Sequence, residues 1–242
     1  MKDPVFIVGS PRSGTTLLAS LIDNHCDAIC LIEPYLSWLQ TGRFESNYLM
    51  ESNVGLYGLF PPHRFIAYLC ENSSFQAVGF KETFRTKNHP TFPSEDFIRK
   101  NRYIDGVDKT LVIIRDPRDI WLSVVRRHSK YENDRKTLGE LLDAWNRLCL
   151  WIESDSLDYI KYEDLVQNPQ SLYSILEVLD LDFSEEILDN SPKRGFGDQC
   201  AQEGKGIFQS SVGRYEDELK PEIENLITSR CNPILARFGY SS

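Results

Sequence analysis

Short apolar runs rich in Val and Ile recur along the chain at Val5 to Val8, Ala28 to Ile32, Ala77 to Phe80, Leu111 to Ile114 and Leu157 to Ile160. Runs of that length and composition are the pattern of buried strands in a parallel sheet. Between and beyond them the apolar period lengthens to that of a helix, over Thr16 to Asp23, Arg64 to Glu71, Phe97 to Tyr103, Ile120 to His128 and Pro221 to Phe238. The clearest case is Leu138 to Glu153, where Leu141, Leu142, Trp145, Leu148 and Trp151 stand in helical register. Pro117 and Pro169 each sit where a helix begins. Alternation of strand and helix predicts one α/β domain spanning residues 1–242, a three-layer αβα arrangement around a mostly parallel sheet of about five strands. Two stretches resist assignment: Gly42 to Pro62, and Ser191 to Ser211 with its glycines 195, 197, 204 and 206. Long irregular segments in compact domains are commonly lids or disordered.

Composition narrows the function more than the fold. At 242 residues, with 41% hydrophobic and 26% charged positions, the chain is of ordinary globular type and large enough for one core. No run approaches the roughly 18 apolar residues of a membrane span, so no integral membrane segment is expected. The formal net charge of −9 argues against a nucleic-acid partner, whose phosphates are held by Lys and Arg. A small anion is another matter, because a loop can be locally positive on an acidic protein. The six cysteines form no paired C-x-x-C modules and are expected to be reduced, mostly buried thiols. The chain enters its first strand within a few residues of Met1, without the pattern of a secretory leader, and a cytoplasmic location is the expectation.

Two segments carry candidate chemistry. The first strand breaks at Gly9-Ser10-Pro11-Arg12-Ser13-Gly14 and opens a helix at Thr15-Thr16-Leu17. Gly9 and Gly14 keep the G-x-x-x-x-G spacing of a phosphate loop, in which backbone N–H groups and the helix N-terminus hold an anion. Thr15 stands where a nucleoside-triphosphate loop needs lysine, and the cation lies within the loop, as Arg12. The loop is therefore suited to a doubly anionic group rather than to γ-phosphate and Mg²⁺ chemistry. The second segment, Arg115 through Ser123, leaves the fourth strand at the edge where open α/β sheets bind ligands. Arg115 and Ser123 can clamp a second phosphate, or Arg115 can pair with Asp116 or Asp119 in a salt network at the helix start. His128, beside two arginines at a helix C-terminus, reads as structural, and Trp38, Trp121, Trp145 and Trp151 as core or groove residues.

These residues resemble a family. Pro11-Arg12-Ser13-Gly14-Thr15-Thr16-Leu17 is similar to the 5′-phosphosulfate loop of sulfotransferases that use 3′-phosphoadenosine 5′-phosphosulfate (PAPS). Arg115 to Ser123 matches their 3′-phosphate motif, R-x-P-x-D-x-x-x-S. Tyr162-Glu163-Asp164-Leu165 resembles the family's Y-E-D-L segment, and Gly213-Arg214-Tyr215 its late G-(K/R)-(W/Y) element. Pro233 to Tyr240 is similar to the ending of tyrosylprotein sulfotransferases and their bacterial relatives, whereas Trp38 to Gln76 matches no family pattern.

The resemblance implies a P-loop-like fold and sulfuryl transfer from PAPS to a hydroxyl acceptor, without a metal. Arg12, Ser13, Gly14, Thr15, Thr16 and Leu17 would hold the phosphosulfate, Arg115 and Ser123 the 3′-phosphate, and Tyr162 and Arg214 the nucleoside side. Glu33, at the end of the second strand, would be the general base, with Glu82 in reserve. Lys81, expected at the end of the third strand, would stabilise the bridging oxygen, with Arg12 as a further catalytic cation. Carbohydrate, tyrosyl peptide, lipid and secondary-metabolite hydroxyls are all open as acceptors. Two other readings stand beside this one: a small-molecule kinase or NTPase with an altered loop, and a nucleotide-binding protein without catalysis.

Overall fold

The computed structural model describes residues 3–41, 61–84, 109–188 and 211–241. Strands β1 (Val5–Gly9), β2 (Ala28–Ile32), β3 (Ala77–Thr83), β4 (Lys109–Ile114) and β5 (Asp158–Lys161) form one sheet in the order β2-β3-β1-β4-β5. Every neighbouring pair is parallel, as the apolar runs predict.

Side chains alternate along each strand, so each face of the sheet buries its own cluster. Val5 and Ile7 of β1, with Leu111 and Ile113 of β4, pack against α1 (Thr15–Asp23), α6 (Tyr162–Gln167) and α7 (Leu172–Leu179). Phe6, Val8, Phe80 and Val112 face the other way. There they meet α3 (Pro62–Asn72), α4 (Pro117–Arg127), α5 (Arg135–Asp155) and α8 (Pro221–Arg237). The helical register read from α5 is the register of its burial: Trp145 and Leu148 are wholly buried and Trp151 is 1% exposed. Trp121 is also buried, and Trp38 is partly buried against the same cluster. Four of the five described cysteines are buried and Cys26 is exposed. Among the described residues no helix is long and apolar enough to cross a membrane.

Three local outcomes differ from the sequence expectation. β3 does not stop at Phe80 but runs on through Lys81, Glu82 and Thr83, because strands on both sides of it continue the hydrogen-bond ladder to Gly9 and Ile32. Lys81 is thus no exposed strand-end residue; it lies inside the strand and is 3% exposed. Pro34 starts a helix, α2 (Pro34–Thr41), at the position where a missing N–H costs least. The short α6 also appears where only a motif was legible. The expected helix from Phe97 to Tyr103, and the two long loops apart from Pro61, Pro62 and Ser211, lie outside the described residues.

Topology places the site. The chain leaves β1 toward β2 on one side of the sheet and β4 toward β5 on the other, so the carboxyl ends of β1 and β4 flank a switch point. The approach there is close: a Cβ on Gly9 would lie 2.5 Å from the backbone oxygen of Ile113 on β4. At Gly79 the nearest atom would be Cys30 Sγ at 3.4 Å, an ordinary contact. Gly9→Ala should therefore lower the unfolding free energy by about 1–3 kcal/mol through overpacking, and Gly79→Ala by less, as read from urea denaturation midpoints.

Candidate active site

The loop after β1 is a turn closed on itself. Ser13 donates to the carbonyl of Ser10 with both its backbone N–H, at 3.2 Å, and its hydroxyl, at 2.8 Å. Arg12 and Gly14 take left-handed backbones, with φ of 67° and 95°. Gly14 is required twice over, because a Cβ there would also lie 2.4 Å from the Tyr162 ring. α1 begins at Thr15 with no side-chain cap and no acidic residue in its first turn. Its leading N–H dipoles are thus left for an anion, as the glycine spacing predicts. Ser13 and Thr15 are buried beneath the loop, while Arg12, Gly14, Thr16 and Leu17 are half-buried at its surface.

Arg115 ties this loop to the β4 edge. Its Nη1 donates to the Arg12 carbonyl at 3.2 Å and its Nη2 to the Ser211 carbonyl at 2.5 Å, and its guanidinium lies 4.3 Å over the Tyr162 ring. Arg12 in turn donates from Nε to the Ser123 hydroxyl at 3.1 Å. Two motifs about a hundred residues apart are thereby a single cluster. Of the salt partners open to Arg115, Asp119 is used at 4.0 Å, while Asp116 is taken by Arg118 at 2.7 Å and caps α4 through the Arg118 N–H. Tyr162 is 7% exposed, its hydroxyl bonded to the Ser211 hydroxyl at 2.6 Å. Trp145 donates to the Arg115 carbonyl, and Glu163 accepts both the Asp116 N–H and the Tyr240 hydroxyl, so the end of the chain braces the same segment.

Asp119 fixes the last piece. Wholly inside the protein, it accepts the N–H of Gly213 at 2.7 Å and of Tyr215 at 3.1 Å, bringing Arg214 to the cluster. Burial pushes the Asp119 carboxyl up; those two N–H groups and Arg115 oppose the rise. The Arg214 guanidinium is pushed down, first by burial and then by the positive charges of Arg126 and Arg115. Among the described residues, Ser10 Oγ, Arg115 Nε and Arg214 Nε are buried polar atoms with no hydrogen-bond partner. Buried donors in that state, on crowded cations beside an uncapped helix, fit an anionic ligand of more than one phosphate or sulfate group.

A second centre lies at the carboxyl end of β2 and β3, next to the loop. Glu33 donates its N–H to the Lys81 carbonyl at 2.7 Å, and its carboxylate accepts Lys81 Nζ at 2.7 Å and the Thr83 hydroxyl at 2.5 Å. Lys81 is buried, whereas the Glu33 side chain is 27% exposed, so the carboxylate is the accessible member of the pair. Thr83 is level with Gly9 in the sheet register, one strand from the phosphate loop. Glu33 and Lys81 are thereby an ion pair at the carboxyl edge of the sheet. Glu82 points to the other face and accepts the Tyr35 N–H at 2.6 Å; burial first, and then the charge of Glu33, push it up to about 8.

Sequence reasoning passed over Thr83, Asp119 and Ser211 as site residues. Thr83 had a readable signal, standing two residues after Lys81 and so on the same face of a strand. Among the described residues one group of potential metal ligands, His25, Cys26 and Asp27, lies within 4.8 Å. Both His25 nitrogens are engaged there, Nδ1 by the Asp27 N–H and Nε2 by the Asp182 carbonyl. The cluster around Asp119 gives a direct test. Asp119→Ala strands two buried N–H groups, so amide exchange at Gly213 and Tyr215 should speed up at least about tenfold by mass spectrometry, with exchange in α1 unchanged.

Comparisons with known proteins agree with this geometry. A model of the Sulfotransferase family matches residues 4–55, the stretch holding β1, the phosphate loop and Glu33. Protein-tyrosine sulfotransferase 2 of Gallus gallus is 24% identical over 281 aligned positions, covering 98% of this chain and 69% of that protein. The structure of the sulfotransferase domain from the curacin biosynthetic pathway superposes with a TM-score of 0.72 at 18% identity, covering 100% of this chain and 99% of that one. Mouse sulfotransferase SULT7A1, solved complexed with PAP, superposes with a TM-score of 0.55 at 16% identity, covering 97% of this chain and 84% of that one. With its loop inside the family's matched segment and its fold shared from end to end with a sulfotransferase structure, the chain is similar to sulfotransferases in sequence and in fold.

Proposed function

We propose that the protein moves a sulfuryl group from PAPS to a hydroxyl acceptor. The observation that carries this reading is the junction of Arg12, Arg115 and the open N-terminus of α1, one strand away from the Glu33 and Lys81 pair. Arg12 to Leu17 would hold the phosphosulfate, Arg115 and Ser123 the 3′-phosphate, and Arg214 and the Tyr162 edge the nucleoside side. A cation cluster that reaches from the phosphate loop to α4 suits a donor charged at both ends of its ribose. The donor supplies an activated sulfur: its bond to the bridging phosphosulfate oxygen breaks as the bond to the acceptor oxygen forms.

The chain's own residues would do the rest. Glu33 takes the acceptor proton, within reach because its carboxylate is the exposed member of the ion pair. A proton arriving on Glu33 weakens its hold on Lys81, whose ammonium is then drawn toward the oxygen gaining negative charge. Acid and base thus exchange partners without importing a charge. Arg12, fixed by Ser123, keeps a cation in the loop through both states. Thr15 in place of the triphosphate lysine accords with a donor that has no γ-phosphate, and a positioned lysine and arginines can meet the charge that a loose transition state develops. The chicken relative acts on tyrosine by its name, which makes a tyrosyl peptide the first acceptor to try, ahead of carbohydrate, lipid or secondary-metabolite hydroxyls.

Calorimetry checks the donor site. 3′-Phosphoadenosine 5′-phosphate should bind, and Arg115→Ala should weaken it roughly tenfold to a hundredfold. Equal affinity for adenosine diphosphate, which lacks the 3′-phosphate, would sink the clamp. Kinetics check the base: Glu33→Gln should lower kcat by about 10²–10⁴ while leaving nucleotide affinity unchanged. Full activity in that variant would remove Glu33 from the mechanism.

A further inference from the structure

Glu33 stands at the head of α2, where its carbonyl accepts the Ser37 N–H at 3.0 Å. It leaves β2 with φ of 50°, a left-handed backbone that costs a non-glycine residue energy unless its surroundings hold it there. The next residue, Pro34, opens α2 and offers no N–H to a cap. The Glu33 N–H reaches back to the Lys81 carbonyl, which anchors one end of the turn.

Support for the other end comes through the sheet. Glu82 sits between Lys81 and Thr83 in β3 and so projects to the opposite face, where it is 2% exposed. Its Oε1 accepts the N–H of Tyr35, in the first turn of α2, at 2.6 Å. Tyr35 is itself buried, its ring 5.8 Å from that of Phe80. Three consecutive residues of β3 therefore grip both ends of one functional unit. Lys81 and Thr83 take the Glu33 carboxylate, and Glu82 takes the helix that starts immediately after Glu33.

We propose that Glu82 is a positioning residue for the Glu33 carboxylate, fixing its left-handed turn by holding the N-terminus of α2 from the far face of β3. This rests on reading Glu33 as the base of the transfer. It gives a buried carboxyl on the wrong side of the sheet for chemistry a part in that chemistry, through backbone rather than through contact with substrate.

The charge state of Glu82 fits the role. The groups facing it are Glu33 on the β2 turn, Lys81 on its own strand, and Tyr35 with the leading amides of α2. Burial and Glu33 raise it from the ordinary 4.5 to about 8, so near neutral pH it carries a proton. Only one carboxylate charge then stands beside Lys81. The folded protein holds a proton that the unfolded chain gives up above 4.5, so the stability contributed is complete below 4.5 and is lost as pH rises through about 8.

The test compares Glu82→Gln, whose side-chain oxygen still accepts the Tyr35 N–H, with Glu82→Leu, which cannot. Glu82→Leu should lower kcat roughly tenfold to a hundredfold, the scale of a small misplacement of a reacting group, with donor KM and 3′-phosphoadenosine 5′-phosphate affinity unchanged. Glu82→Gln should restore kcat to within about threefold of wild type. Independently of activity, amide exchange at Tyr35 should rise in Glu82→Leu and not in Glu82→Gln. The melting temperature of Glu82→Gln relative to wild type should climb between pH 5 and pH 8. A folded Glu82→Leu with wild-type kcat, or one whose donor KM rises as far as its kcat falls, overturns the proposal. If Glu82→Leu does not fold, Glu82→Gln decides: near-wild-type kcat with unchanged Tyr35 exchange supports positioning, and a kcat loss matching Glu33→Gln overturns it. A Glu33→Gln enzyme with full activity would fail the base reading instead, a result separate from the exchange at Tyr35.

Discussion

One guanidinium holds the anion site together. Arg115 lies against the ring of Tyr162, and that ring fills the space a side chain at Gly14 would need. The same guanidinium donates to the Arg12 carbonyl inside the phosphate loop and to Ser211 on the segment that brings Arg214. Three stretches of chain from distant parts of the sequence thus converge on one planar cation. Arg suits the position because a planar fork can stack on an aromatic face and bond in its plane at once; Lys can do only one of these. The backbone of the phosphate loop and the segment beginning at Ser211 are both held by that guanidinium.

The arrangement is electrostatically tense. Arg12, Arg115 and Arg214 cluster on a chain of net charge −9, and Asp119 counters them mainly from beneath, itself tied to two amides. Burial and like charge depress Arg214, the sign expected of a site that is relieved when an anion enters. The neighbouring centre has the opposite character. Glu33, Lys81 and Thr83 bond to one another, so the carboxylate and ammonium rest as an ion pair until a substrate proton disturbs it. A site that invites anions beside a pair that can trade protons is the combination a sulfuryl transfer needs.

Much of this was legible in the chain. Apolar runs marked β1 to β4 most plainly, because a parallel sheet buries both faces there and favours Val, Ile, Leu and Phe, whereas the edge strand β5 exposes Asp158 and Tyr159. The phosphate loop was legible because its glycines answer to backbone geometry. What escaped has a physical reason in each case. β3 runs past Phe80 because its polar residues are satisfied by partners remote in sequence, Glu33 for Lys81 and Tyr35 for Glu82, which periodicity cannot show. Asp119 looked like one member of a helix-start salt network; its main bonds are to amides of residues 213 and 215, which no local pattern signals. Pro34 carries no signal that separates a loop from a helix, because proline is at home both in loops and in the first turn of a helix.

The central claim is that these two centres work on one donor, and sulfur-labelled PAPS tests it most directly. The protein would be incubated with the label and a panel of hydroxyl acceptors headed by a tyrosyl peptide, with chelator present. The account predicts label on an acceptor oxygen, at a rate indifferent to Mg²⁺. No transfer to any acceptor, together with Mg²⁺-dependent turnover of ATP, would contradict it and return the loop to nucleoside-triphosphate chemistry.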